Sequence, residues 1–305
     1  MQLIPGTFCW GLSMIGLPAV TAYVITSIPD KTRIASVLAL VWASYSFSYI
    51  FAPGIGGYLK TAMGMLWVLR LATILSAVAT GVFFFLRPQH PREKKADKEN
   101  RHTTEHRKTG IFKRFRHNLY EPEHQNAWRK VIVWSVFLAS CSFFIGIGRS
   151  FVQTFLKERI SMSDVQIGVY GSISYAGITF IGIAMGRLSD KWRKSGAIAF
   201  CLLFYFASMI PLLLYQGTSL LMLFAFPLGA SAISAQLVYS YIGTIAPKSK
   251  QGLWVSIPQT FSLLASFVAP LIGGYVYTFS PTCAFLISIG AMPILATYAF
   301  RTLKG

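Results

Sequence analysis

The chain has 305 residues, 54% of them hydrophobic and only 12% charged, with a mean hydropathy of +0.53; soluble domains carry about 25% charged residues. Lys and Arg number 28 against 10 Asp and Glu, a formal net charge of +18, yet residues 1–29, 195–247 and 252–300 hold no charge at all. A soluble enzyme and a disulfide-held secreted domain are excluded, and the excess of base is what cytoplasmic loops collect rather than a nucleic-acid footprint.

A helix needs about 20 apolar residues to cross a hydrocarbon core of about 30 Å. The breaks in the apolar tracts predict nine spans, at about 4–28, 34–59, 64–86, 131–155, 165–185, 196–214, 220–244, 252–277 and 281–300. The punctuation is Pro29-Asp30-Lys31, the cluster from Lys157 to Asp164, Gln216-Gly217-Thr218-Ser219, Pro247-Lys248 and Ser280-Pro281. The first span is too long for a signal-peptide core and lacks a basic leader, so it counts as a true span. The expected fold class is an all-α membrane protein, a polytopic helical bundle of about nine transmembrane helices. Three spans occupy 1–86, a basic cytoplasmic loop 87–130 and six spans 131–305. That loop holds 13 of the 28 bases and all five histidines.

Charge also sets direction. With the N-terminus of the chain outside and the C-terminus cytoplasmic, 23 of the 28 bases fall on the cytoplasmic side, leaving Lys60, Arg70, Arg149, Lys157 and Arg159 elsewhere. The expected location is the cell membrane.

The chain repeats internally. Residues 52–61 read Ala-Pro-Gly-Ile-Gly-Gly-Tyr-Leu-Lys-Thr and residues 269–278 read Ala-Pro-Leu-Ile-Gly-Gly-Tyr-Val-Tyr-Thr, seven matches in ten at an offset of 217. Upstream, at an offset of 218, Tyr23, Thr26 and Pro29 fall on Tyr241, Thr244 and Pro247. Order, spacing and topology agree, so the first three spans read as a copy of the last three. The three spans from residue 131 onward would then have partners lying before Met1, which predicts three absent spans and an incomplete arrangement of six plus six.

Two motifs resemble the major facilitator superfamily, from its fourth helix to its twelfth. Gly186-Arg187-Leu188-Ser189-Asp190-Lys191-Trp192 is similar to the family's signature between its eighth and ninth helices, with Arg193 where the family prefers Gly. Ala-Pro-x-x-Gly-Gly at 52–57 and 269–274 resembles the Gly-Pro-x-x-Gly-Gly element of its drug/proton antiporters, with Ala52 in place of the first Gly. The resemblance implies a secondary active transporter of a small organic solute, drug or metabolite efflux included, working by alternating access. It implies no enzyme activity, no catalytic site and no cofactor. A coupling proton would ordinarily require an intramembrane carboxylate; none stands within a predicted span, so it is missing or lies in the absent ones.

Physical chemistry assigns parts to particular residues. Gly182 and Gly186 are spaced to let two helices approach closely. Asp190 in the following turn, with Lys191 and Arg193 beside it, meets the positive N-terminal end of the second span near Arg33 and is expected to form a cytoplasmic latch. Pro53, Gly56 and Gly57, and their copies Pro270, Gly273 and Gly274, are expected bend and packing points. Candidates for the solute pathway are Arg149, with Gly146 and Gly148 beside it, Gln153, Gln236, Gln259 and Arg70, and Tyr45, Tyr49, Tyr175, Tyr239 and Tyr241 are aromatic surfaces that can line a cavity. Residues 111–119 alternate bases with an apolar face and suit a helix lying on anionic lipid. The expected partners are a small-molecule substrate, a candidate coupling proton and the bilayer, with no nucleic acid and no metal. Two other readings are a transport-inactive fragment of such a carrier and a membrane-embedded enzyme; the second lacks a base or metal ligand near the membrane.

Overall fold

The computed structural model describes residues 16–28, 33–85, 125–214, 217–247 and 251–302, and all of its regular structure is helical. The elements are α1 (Gly16–Ser27), α2 (Ile34–Met63), α3 (Met65–Phe85), α4 (Gln125–Arg149), α5 (Val152–Glu158), α6 (Asp164–Lys191), α7 (Lys194–Leu214), α8 (Thr218–Leu228), α9 (Ala230–Ile245), α10 (Gln251–Phe279) and α11 (Pro281–Thr302). Eight stretches among them are long and apolar enough to cross a membrane. They match the second to ninth expected spans. Of the first, expected at 4–28, only α1 lies within the described residues, and the in-plane helix expected at 111–119 lies outside them.

Local chemistry explains two of the helix ends. The α2 helix stops at Gly64, whose φ of 85° is the left-handed geometry that glycine adopts without a Cβ clash. A reciprocal capping box opens α6: Ser163 Oγ accepts from the Gln166 backbone N–H, and Gln166 Oε1 accepts from the Ser163 N–H. The structure departs from the sequence reading at three places. Helix α6 runs on to Lys191, so the Gly186–Asp190 motif is helical rather than a turn; Arg187, Leu188 and Lys191 are good helix formers, and the chain turns extended only at Trp192. Helix α4 starts at Gln125, inside the segment assigned to the loop, where Trp128 packs edge-on against Trp254. Two spans are also broken. Ser150 and Phe151 separate α4 from α5, and Gly229, just after Pro227, separates α8 from α9. By contrast, α2 and α10 continue through Pro53 and Pro270.

The internal repeat is present in the elements themselves. An offset of 217 carries α2 onto 251–280 and α3 onto 282–302, against the observed Gln251–Phe279 and Pro281–Thr302. Side-chain details recur as well. Thr26 Oγ1 donates to the Tyr23 carbonyl as Thr244 Oγ1 does to that of Tyr241, and Thr61 donates to Tyr58 as Thr278 does to Tyr275. Packing is reciprocal: α1 lies on α10, and its counterpart α9 lies on α2. Ile25 and Gly243 are mates at the 218 offset, and a Cβ on Gly243 would stand 2.7 Å from Ile25 Cγ2. When a residue meets its own repeat mate, the local two-fold axis passes between them.

The buried core runs through α1, α2 and α4–α11, and Trp254, Tyr205 and Phe285 are its largest fully buried side chains. The exception is α3, where no residue of Met65–Val82 is buried. Its repeat counterpart α11 packs against α7 and α4.

Candidate functional site

The most extensive helix pairing is α2 against α6, an antiparallel seam between the first three spans and the six that follow the loop. Small side chains make it possible. Gly186 is buried, and a Cβ there would stand 2.5 Å from Ala39 Cβ and 3.1 Å from the Ala35 carbonyl oxygen. Near the other end, a Cβ on Gly57 would stand 2.7 Å from the Asp164 carbonyl oxygen. In between, the Gly54 N–H donates to Ser172 Oγ at 3.0 Å. Tyr45 and Tyr49 share a hydroxyl contact of 3.0 Å, and Tyr49 stacks on Tyr175 with ring centroids 5.0 Å apart.

Both ends of the seam are closed by charge. At one end the carboxylate of Asp190, on the last turn of α6, lies over the first turn of α2. Its Oδ1 accepts from the Ala35 N–H at 3.2 Å, and its Oδ2 accepts from the Ser36 N–H at 2.8 Å and from the Ser36 hydroxyl. Helix α2 begins at Arg33 with no side-chain cap of its own sequence. Its orphan N–H groups are satisfied in trans, by a carboxylate that also complements the helix dipole. At the other end Asp164 receives Lys60 at 2.8 Å and Lys157 at 2.7 Å. All three side chains there are at least a quarter exposed, so water and salt screen the group.

A cavity of about 430 Å³ opens where the two broken spans meet, lined from α4, α9 and α10. Its charged group is Arg149, the last residue of α4, whose Nη1 donates to Ser231 Oγ at 3.3 Å. Ser142, Ser150, Ser234 and Ser266 add hydroxyls, and Leu138, Ile145 and Ala235 supply apolar wall. The glycines beside Arg149 seat against neighbouring helices, Gly146 facing Ala269 and Gly148 facing Ser288 and Tyr205. That fixes the end of α4 and therefore the guanidinium.

The expected site residues are thus partly gathered and partly dispersed. Gly186 and Asp190 meet the start of α2 just after Arg33, while Lys191 and Arg193 are exposed. Arg149 enters the cavity. Gln153 is exposed on α5 beyond the break, and Arg70 is exposed on α3 with its guanidinium 5.2 Å from the Trp67 ring centroid. Gln236 and Gln259 lie outside the cavity lining, and the Oε1 of each is buried with no hydrogen-bond partner among the described residues. The two Gly-Gly pairs divide their work. Gly57 meets α6 while Gly56 faces open space; Gly273 stands against Ile147 of α4 while Gly274 has only Phe151 near it. The group of Lys60, Lys157 and Asp164 was not anticipated. Its one sequence signal was the charge cluster from Lys157 to Asp164, read there only as punctuation.

A family model described as Major Facilitator Superfamily matches residues 2–156 and 138–304. A protein of Bacillus subtilis (strain 168) named for metabolite transport, YwtG, is 25% identical over 145 residues, 46% of this chain and 31% of its own length. The sugar transporter ERD6-like 16 of Arabidopsis thaliana is 26% identical over 151 residues, 48% of this chain and 31% of its own length. The matched region spans about a third of each of these relatives.

Proposed function

Since the chain belongs to the Major Facilitator Superfamily, we propose that it serves as a secondary active transporter of a small organic solute rather than as an enzyme, moving its cargo by alternating access. The observation that carries this reading is the Asp190 carboxylate seated on the first turn of α2 across the seam. Separating α2 from α6 at that end must break charge-assisted hydrogen bonds of about 1.5–3 kcal/mol each, and opening the other end must part Lys60 from Asp164. Two closures at opposite ends of one seam are what a carrier needs to expose a central site to one side at a time. With bases gathered on the inner face, the Asp190 end is the cytoplasmic one and acts as the latch, and the Arg149 cavity belongs to the solute pathway. The relatives named for metabolite and sugar transport support a small organic cargo.

The described carboxylates Glu158, Asp164 and Asp190 all stand at helix ends, so among the described residues none is placed at mid-span for a coupling proton. One observation favours a second reading, in which the chain by itself is inactive. No residue of Met65–Val82 in α3 is buried although α11 packs on two helices, so α3 offers a face on which further helices would sit.

The test is to reconstitute the chain in proteoliposomes, carry spin-label pairs across each end of the seam, and follow distances and flux together. Distances at the two ends should change in opposite senses as solute gradients are reversed. A seam that stays closed at both ends while solute is moved overturns the mechanism, and absence of flux with added helices as well as without them overturns the transport reading.

A further inference from the structure

Resting on that reading, we infer that the solute is an organic anion, held at its carboxylate by Arg149. Arg149 closes α4 nine residues before the end of the candidate span that α5 completes. A cation at such depth is costly and ordinarily pairs with an acid. Here every described acid is engaged elsewhere: Asp164 by Lys60 and Lys157, Asp190 by the start of α2, and Glu158 by the Tyr277 hydroxyl at 3.5 Å. Arg149 has five N–H donors, and its one hydrogen bond among the described residues is the 3.3 Å contact to Ser231 Oγ. Most of its donor capacity is therefore unmatched within the described residues, beside the cavity it lines.

The hydroxyl pattern agrees. Ser231 and Ser234 already donate to backbone carbonyls, of Leu228 and Ser231, so they offer acceptors to the arginine rather than protons to a solute. Ser150 and Ser266 make no side-chain hydrogen bond among the described residues and remain for a second polar group. A planar guanidinium matches a carboxylate with two parallel hydrogen bonds. One charge of one sign suits a monoanion; among the described residues no second cation lines the cavity to balance a phosphate dianion. A volume of about 430 Å³ lies at the small end of ligand pockets.

The experiment uses the full chain in lipid nanodiscs and follows its melting temperature with acetate, lactate and benzoate at matched ionic strength, against acetamide, lactamide and benzamide. A ligand that binds the folded state raises the melting temperature in proportion to its affinity. At least one acid should shift it while its amide does not. Arg149→Gln should abolish the shift, and Arg149→Lys, which keeps the charge and loses the fork, should require about tenfold more ligand. Equal shifts from acid and amide, a shift that survives Arg149→Gln, or no shift from any acid would overturn the inference. Should Arg149→Gln fail to fold, Arg149→Lys and the acid–amide comparison on the unaltered chain decide. An acid that binds through Arg149 but is never moved across proteoliposomes sinks the transport reading alone; flux of neutral solutes without any acid shift sinks this one alone.

Discussion

At the residue scale, Asp190 does a job that its own helix does not need. A carboxylate on the last turn faces the negative end of its own dipole, which is unfavourable, and it is stabilised there because the first turn of α2 supplies donors. Asp190→Asn keeps one acceptor and loses the charge, so the seam should lose about 0.3–2 kcal/mol, the range for a partly buried charge at a helix N-terminus. The check is a lowered unfolding midpoint together with a longer spin-label distance at that end. Unchanged values in both would mean the carboxylate is a solvated bystander. The sequence pointed Asp190 at the start of the second span near Arg33, whereas the contacts to Ala35 and Ser36 depend on how far α6 slides along α2. No local signal encodes that distance.

At the scale of elements, each Gly-Gly pair is one motif in sequence and two different environments in space. Gly57→Ala puts a Cβ 2.7 Å from a backbone carbonyl of α6, and overpacking of this kind costs about 1–3 kcal/mol. Gly56→Ala meets nothing within 4 Å and removes the entropy that glycine costs a helix, so it should be neutral or stabilising by up to about 1 kcal/mol. The second copy reverses the order: Gly273→Ala should destabilise against Ile147, and Gly274→Ala should be tolerated. Denaturation midpoints of the four single variants in one detergent test the set, and a Gly56 variant as damaged as the Gly57 variant would contradict it. Breaks in the spans follow the same lesson. Pro53 and Pro270 lie within unbroken helices, while the helix interruptions fall at Ser150–Phe151 and at Gly229, just after Pro227.

At the scale of the whole molecule, the two closures of the seam differ in kind. The Asp190 end rests on part-buried backbone donors, and the Asp164 end on exposed lysines. Salt screens only the second effectively, since at 1 M the Debye length falls to about 3 Å. Raising NaCl should therefore loosen the Lys60–Asp164 end first, seen as faster labelling of a cysteine introduced at Thr61 than of one introduced at Lys191. Equal acceleration at both ends would show that the two closures are alike. Arg149→Gln bears on the same scale through the cavity, where its loss should remove the acid-dependent shift in melting temperature.

The sequence by itself determined the class, the positions of eight of the nine expected spans, the repeat and the family resemblance, because all of these follow from hydrophobic length, charge placement and residue spacing along one chain. It also picked out Arg149, Asp190 and Gly186, since a charge or a close-packing glycine in an apolar span has few uses. Only the tertiary structure decided which of those residues meet. It put Arg149 in a cavity and left Arg70 exposed on α3, it joined Lys60 to an aspartate 104 positions away, and it made Ile25 touch its own repeat mate Gly243. The reason is physical. Composition and periodicity act through neighbours three or four residues apart, whereas the choice of facing partner depends on rotation and sliding of whole helices, which the chain settles only by packing them.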